Sequence, residues 1–145
     1  MDITKVLVVC YANINRSPVL AALLQAKLNE SGLSHIAFES AAMYNRHVGH
    51  PANRFGVQLL AERGIDLSAH LSRWVGELNL RDFQLIVCME NYQRRELQAM
   101  IGENPPKIVV TFIADDPWDE ETAQKYFTIL DNSAAWIIET YIKPS

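Results

Sequence analysis

The run Val6-Leu7-Val8-Val9 constrains this chain more than any other feature, because it is short, mostly β-branched, apolar at every position, and leads through a polar loop into a proline and a leucine repeat. A strand without polar alternation is one covered on both faces. Pro18 falls where the first turn of a helix tolerates proline, and Leu20, Leu23, Leu24 and Leu28 recur at helical spacing up to Gly32. The opening therefore reads strand, loop, helix. The pattern returns with Ile36-Ala37-Phe38 as a second strand, Pro51 through Glu62 as a helix stopped by Gly64, and Leu85-Ile86-Val87-Cys88-Met89 as a third strand. A helix from about Tyr92 to Ile101, a fourth strand Ile108-Val109-Val110, and a closing helix from Glu120 to about Tyr141 complete it, the last with Phe127, Leu130, Ala134, Ile137 and Ile138 on one side. Such βα alternation predicts an α/β fold of three layers, a four-stranded, mainly parallel sheet flanked by helices. Ligands in sheets of this kind bind at the carboxyl ends of the strands.

At 145 residues the chain is expected to form one domain, 1–145, large enough to bury a core without disulfides or a structural metal. No internal repeat or low-complexity tract interrupts it. An apolar content of 49% with 21% charged residues fits a globular protein and not a disordered one. No apolar run approaches the roughly 18 residues of a membrane span, and Met1-Asp2-Ile3-Thr4-Lys5 lacks the pattern of a secretory leader. The expectation is a cytoplasmic protein with no membrane partner. A formal charge of -4 argues against nucleic acid, whose backbone needs a basic surface. Cys10 and Cys88 form neither a Cys-x-x-Cys nor a zinc-like Cys/His spacing, so neither a metal nor a cofactor is expected.

Chemistry concentrates in the loop between the first strand and first helix, Cys10-Tyr11-Ala12-Asn13-Ile14-Asn15-Arg16-Ser17-Pro18: Cys, five residues, Arg, Ser. A loop that ends at a helix start turns backbone N–H groups inward, and the helix dipole adds partial positive charge, so residues 11–17 form a cradle for a tetrahedral anion such as phosphate or sulfate. Cys10 would sit at its floor, where the same field favours a thiolate nucleophile. Arg16 supplies a planar fork for two phosphate oxygens. The plainer alternative makes Cys10 a buried strand-end residue, a common fate of free cysteine. Cys-x5-Arg alone arises by chance, and its placement between strand and helix is what gives it weight.

A second element is Asp115-Asp116-Pro117-Trp118, after the fourth strand and so on the same sheet edge if the sheet is parallel. Phosphoryl transfer from an aryl ester benefits from an acid that protonates the departing oxygen, and Asp116, fixed before proline, suits that task. In isolation, Asp-Asp-Pro reads as a turn into the last helix.

Together these residues resemble the low-molecular-weight protein tyrosine phosphatases, which carry a Cys-x5-Arg-Ser loop after the first strand and an Asp-Pro-aromatic loop near the end. Ser40-Ala41-Ala42, Val48-Gly49-His50-Pro51, Gly64-Ile65-Asp66, His70-Leu71-Ser72-Arg73 and Leu85-Ile86-Val87-Cys88-Met89 extend the resemblance over nearly the whole chain. It implies hydrolysis of phosphotyrosine through a phosphocysteine on Cys10, with Arg16 clamping the phosphate and stabilising the transition state. Ser17 would hydrogen-bond the thiolate, and Asp116 would act as general acid and then as base for water. It further implies that Asn13 is held in a strained conformation by Ser17, Ser40 and His70; asparagine is among the few residues that tolerate positive φ. Apart from the resemblance, Ser40 reads as a strand-end hydroxyl and His70 as a surface histidine. The implied partner is a phosphotyrosine protein, and bacterial members often act on tyrosine kinases of polysaccharide export.

Several positions depart from the family's pattern. Ala12 stands where glycine is usual, which is harmless at negative φ and crowding otherwise. Asn15 stands where many members have a second cysteine that protects the nucleophile by a disulfide, so peroxide is expected to carry Cys10 past sulfenic acid without thiol rescue. Arg46 stands at a cleft-wall position that is often aromatic, leaving Tyr11 and Trp118 as aromatic surface around the mouth. Glu90 replaces an aspartate, a conservative structural change. Two other readings share the loop: a thiol-dependent arsenate reductase, which would need a cysteine relay that Cys88 alone is poorly placed to supply, and an anion-binding protein that has lost turnover. The larger tyrosine phosphatases are disfavoured by motif order, since here the cysteine comes first and the acid last.

Overall fold

The computed structural model describes residues 2–143. Met1, where the leader reading began, and Pro144 and Ser145, which close the expected domain 1–145, lie outside the described residues. The elements run β1 (Lys5–Cys10), α1 (Ser17–Glu30), β2 (Ala37–Ala42), α2 (Arg54–Ala61), β3 (Leu85–Cys88), α3 (Asn91–Ile101), β4 (Lys107–Val110) and α4 (Glu120–Ile137). Short 3₁₀ turns at Val75–Glu77 and Leu80–Asp82, which no periodicity announced, bridge α2 to β3.

All strand pairs are parallel, in the order β2-β1-β3-β4. β1 is central and alternates between two cores. Val6, Val8 and Cys10 face one packed by α1 and α4 through Leu20, Leu24, Leu130 and Ile137. Leu7 and Val9 face a second, built with Val75, Leu80, Phe83 and Leu97. Val6 through Val9 are wholly excluded from water, and each such side chain contributes about 1.5–3 kcal/mol of transfer free energy. This is why the opening run carries no polar position.

The chain leaves β1 for β2 on one side and later returns to β3 on the other. Connections at the carboxyl end of β1 therefore diverge, and a crevice opens between the exits of β1 and β3.

The largest departures from the expected boundaries are at β2, α2 and α4. β2 runs on from Ala37 to Ala42 because parallel pairing, Val8 with Ser40 and Cys10 with Ala42, extends a segment whose own residues have little strand propensity. α2 begins at Arg54 instead of Pro51: Pro51 bridges antiparallel to Leu71, and Asn53 caps the helix, its Oδ1 accepting from Gly56 N at 2.7 Å. α4 ends at Ile137, and a π-helical turn at Ile138–Ile142 follows it.

Candidate active site

Cys10 ends β1 with only 2% of its surface exposed. Its Sγ lies 3.0 Å from Ser17 Oγ, and the Ser17 N–H points at it from 3.4 Å. Ser17 Oγ accepts from Asn13 Nδ2 at 2.8 Å, which leaves the serine's own proton for the sulfur. The sulfur thus faces both a main-chain N–H and a hydroxyl.

Asn13 shapes the loop around that sulfur. It is fully buried and left-handed, with φ +59°. Its Nδ2 also donates to Ser40 Oγ at 2.9 Å, its Oδ1 accepts from Arg73 N at 3.1 Å, and its main-chain oxygen meets His70 Nε2 at 2.9 Å. Because a main-chain N–H can only donate, Arg73 fixes which end of the amide faces which partner. Burial pushes the His70 imidazole below its usual range, with the Arg73 charge adding to this and the Asn13 hydrogen bond opposing it. Ser72 Oγ donates to Ala12 O at 2.6 Å. Among the described residues only Asn13 and Asn104 are non-glycines with positive φ, so the methyl of Ala12 sits where any residue fits. With Ala12 and Asn13 carbonyls drawn outward, the loop's N–H groups turn toward the sulfur's side.

A pocket of about 210 Å³ opens above, lined by Cys10, Tyr11, Ala12, Asn15, Arg16, Glu90, Tyr92 and Asp116. Arg16 Nε stands 3.8 Å from Asp116 Oδ1. That same Nε is buried and makes no hydrogen bond among the described residues. A guanidinium donor left in that condition is costly, and a tetrahedral anion placed in the pocket would supply the missing acceptor. Asp115 does not line the pocket. The stretch that carries Asp116 is closed by the start of α4, where Asp119 Oδ1 accepts from Thr122 N at 2.8 Å and Thr122 Oγ1 accepts from Asp119 N at 3.0 Å. A larger hollow of about 420 Å³, between Ile3, Phe83, Pro106 and Lys107, lies near the amino ends of β1 and β4 and holds no nucleophile.

Arg46, expected on the cleft wall, and Trp118, expected around the mouth, are exposed and outside this lining, Trp118 at 74%. Glu90 and Tyr92 take that place instead, at the exit of β3, with Gln93 Oε1 holding the Met89 and Glu90 N–H groups at 2.9 and 3.2 Å. Only strand order makes this visible, because β3 is the second neighbour of β1. Tyr11, also in the lining, packs on Tyr44, ring centroids 4.9 Å apart. Tyr44 donates to Glu96 at 2.9 Å, and that hydrogen bond pushes its phenol up to about 12.

Cys88 faces the other core, away from Cys10. Burial pushes its thiol up to about 11, and its Sγ lies 3.5 Å from Val109 O. It offers the pocket no second thiol. Among the described residues no cluster of three His, Cys, Asp or Glu is arranged to hold a metal ion, and no helix is long and apolar enough to cross a membrane.

The sequence profile described as low molecular weight phosphotyrosine protein phosphatase matches residues 5–132. The chain belongs to this family. Among curated relatives it is similar to the low molecular weight protein-tyrosine-phosphatase YfkJ of Bacillus subtilis, 34% identical over 98 residues, or 67% of this chain and 63% of that protein. It is also similar to the low molecular weight protein-tyrosine-phosphatase Wzb of Escherichia coli, 31% identical over 137 residues and covering 89% of each. Among solved structures, Vibrio vulnificus Wzb in complex with benzylphosphonate superposes with a TM-score of 0.77 at 25% identity, over 92% of this chain and 97% of that one. The parallel four-stranded sheet with its flanking helices is thus the low molecular weight phosphatase fold.

Proposed function

We propose that this phosphatase hydrolyses phosphotyrosine in proteins, with Cys10 as nucleophile, Arg16 as clamp and Asp116 as acid and base. One observation carries the reading: a single pocket of about 210 Å³ gathers the sulfur, a buried and unpartnered guanidinium N–H, and the Asp116 carboxylate that stands 3.8 Å from that guanidinium. Cys10 Sγ attacks phosphorus, the S–P bond forms as the P–O bond to the aryl group breaks, and Asp116 gives its proton to the departing phenol oxygen. Asp116 then takes a proton from water, whose oxygen attacks phosphorus, and the sulfur leaves as a thiolate. Arg16 and the N–H groups of residues 11–17 hold the equatorial oxygens throughout. Tyr11 and Tyr92, both in the lining, supply aromatic surface for the substrate ring.

Every role falls to a side chain or main-chain N–H of this chain, and the reaction is proposed to be metal-independent. A cytoplasmic location is part of the same proposal, and the phosphotyrosine partner, with bacterial tyrosine kinases as one class, follows from the resemblance. The benzylphosphonate bound by Vibrio Wzb is the kind of aryl-bearing phosphonate such a pocket takes. Arsenate reduction is disfavoured because Cys88 turns to the opposite face of the sheet. Para-nitrophenyl phosphate in EDTA is the test: steady hydrolysis is expected, with no arsenate reduction in a parallel assay. Absence of hydrolysis, or a rate that returns only with added metal, would overturn the proposal.

A further inference from the structure

We infer that Asn53 and Tyr126 are positioning residues that aim the second half of the phosphate loop, Ile14 to Arg16, by tying its carbonyl groups to α2 and α4. The inference rests on the phosphatase reading and deepens it. Asn53 lies just before α2 and does two separable things. Its Oδ1 accepts from Gly56 N at 2.7 Å and caps the helix. Its Nδ2 reaches the other way, to Ile14 O at 3.4 Å, Asn15 O at 3.3 Å and Tyr126 OH at 3.1 Å, while its main-chain N–H donates to Ile14 O at 3.1 Å. Tyr126, fully buried on α4, donates its hydroxyl to Asn15 O. Two successive carbonyls are thereby pulled away from the pocket, and the intervening N–H groups are turned into it.

Two further observations show that the packing is built around this knot. A Cβ on Gly56 would stand 3.0 Å from Tyr126 OH, 3.1 Å from Asn53 Nδ2 and 2.6 Å from Val19 Cγ2, so glycine is what lets α2 come close enough. Burial, reinforced by the nearby Cys10 and Asp116 charges, keeps the Tyr126 phenol protonated and hence a donor. The Asn13 network orients Ala12 and Asn13; nothing in it touches Ile14 or Asn15 carbonyls. The knot supplies that half.

The test separates aiming from folding. Asn53→Ser keeps a capping oxygen for Gly56 N but loses the Nδ2 donor, and Tyr126→Phe keeps the ring but loses the hydroxyl. Ile137→Val, also buried on α4, serves as a destabilised control outside the loop. Inorganic phosphate affinity by calorimetry and the kcat and KM for para-nitrophenyl phosphate are measured well below each variant's Tm. Each of the two variants is expected to weaken phosphate binding and lower kcat by about threefold to tenfold, the worth of one buried hydrogen bond. Ile137→Val is expected to change Tm alone. Phosphate affinity and kcat equal to wild type in both variants would overturn the inference while leaving the phosphatase reading intact. A wild type that binds phosphate without hydrolysing ester, with binding weakened in both variants, would sink that reading and uphold the knot. A wild type that neither binds nor hydrolyses would overturn both.

Discussion

The phosphate loop and the loop that carries Asp116 serve one reaction and are built in opposite ways. Residues 10–17 are held by β2 through Ser40, by the 70–73 segment, by α2 and by α4, and Asn13 and Ser17 are shut off from water altogether. Residues 112–118 are hydrogen-bonded at their ends, by Thr111 N to Cys88 O at 2.9 Å and by the Asp119–Thr122 cap, and between them Ala114 alone is buried in the core, with Phe112 packed on Trp136. Phe112, Ile113 and Trp118 stand exposed at 43%, 53% and 74%. The difference follows the chemistry. A thiolate has to be stabilised before substrate arrives, which demands a preorganised cradle. An acid has to follow an oxygen that leaves and then a water that enters, which a lightly held loop allows.

The sharpest way to break this comparison is Cys10→Ser. Turnover of para-nitrophenyl phosphate is expected to fall by about 10⁴ or more, while calorimetry still detects phosphate, since Arg16 and the inward N–H groups remain. Residual turnover near wild type would remove the sulfur from the reaction. Next in size is Asp116→Asn, expected to slow phenyl phosphate by roughly 10²–10⁴ and para-nitrophenyl phosphate less, because nitrophenolate needs little help from a proton. Asp115→Asn should stay within about twofold of wild type on both esters. The reverse ranking would show that Asp115, absent from the pocket lining, swings in to act.

The two loops also differ in how far the sequence revealed them. Cys10, Arg16 and Ser17 lie within one short motif between a strand and a helix that periodicity locates, and the structure brings Asp116 beside Arg16. Asn13 was reached through family resemblance; no local pattern marks a residue whose partners, Ser40, His70 and Arg73, come from distant segments. Glu90 and Tyr92 escaped because their place depends on β3 lying beside β1, and alternation yields strands without their order. Asn53 and Tyr126 escaped for a different reason. Asn53 looks like a helix cap and is one, and its second use shows only once α2 and α4 are packed. Trp118 and Arg46 were drawn to the cleft and its mouth by resemblance, and both are exposed outside the pocket lining.

A stability measurement sharpens the contrast. Asn13→Ala keeps a Cβ at φ +59° without the polar side chain that makes this conformation tolerable for asparagine, in a region that costs an ordinary residue about 1–2 kcal/mol. It also strands the Arg73 N–H and the hydroxyls of Ser17 and Ser40, each worth on the order of 1 kcal/mol or more. Asn13→Gly loses the same partners but keeps the backbone at ease, so urea midpoints should rank wild type, then Gly, then Ala. Trp118→Ala in the acid loop should move stability by only about 0.5 kcal/mol. Equal losses in the two loops would mean that the rigidity assigned to the cradle is not a property of its network.

The smallest expected effect is one of pH, and it belongs to the same network. Burial holds the His70 imidazole below its usual range, so between its folded value and the unfolded value near 6.5 the unfolded chain binds more protons. Its contribution is therefore present above about pH 6.5 and is lost as pH falls through the folded value. Glu39, beside Arg73, does not confuse the window: burial raises its carboxyl, but the Arg73 hydrogen bond and charge outweigh that and hold it below the usual range, where it stays ionised. His70→Gln keeps an N–H for Asn13 O and removes the titration. Urea midpoints taken near pH 7.5 and again near pH 5.5 should thus fall further for wild type than for His70→Gln. Parallel falls would show that His70 gains no proton in this window and that the cradle's hold on Asn13 is indifferent to acid. A larger fall in wild type, with Trp118→Ala behaving as wild type does, would confine the acid sensitivity to the rigid loop.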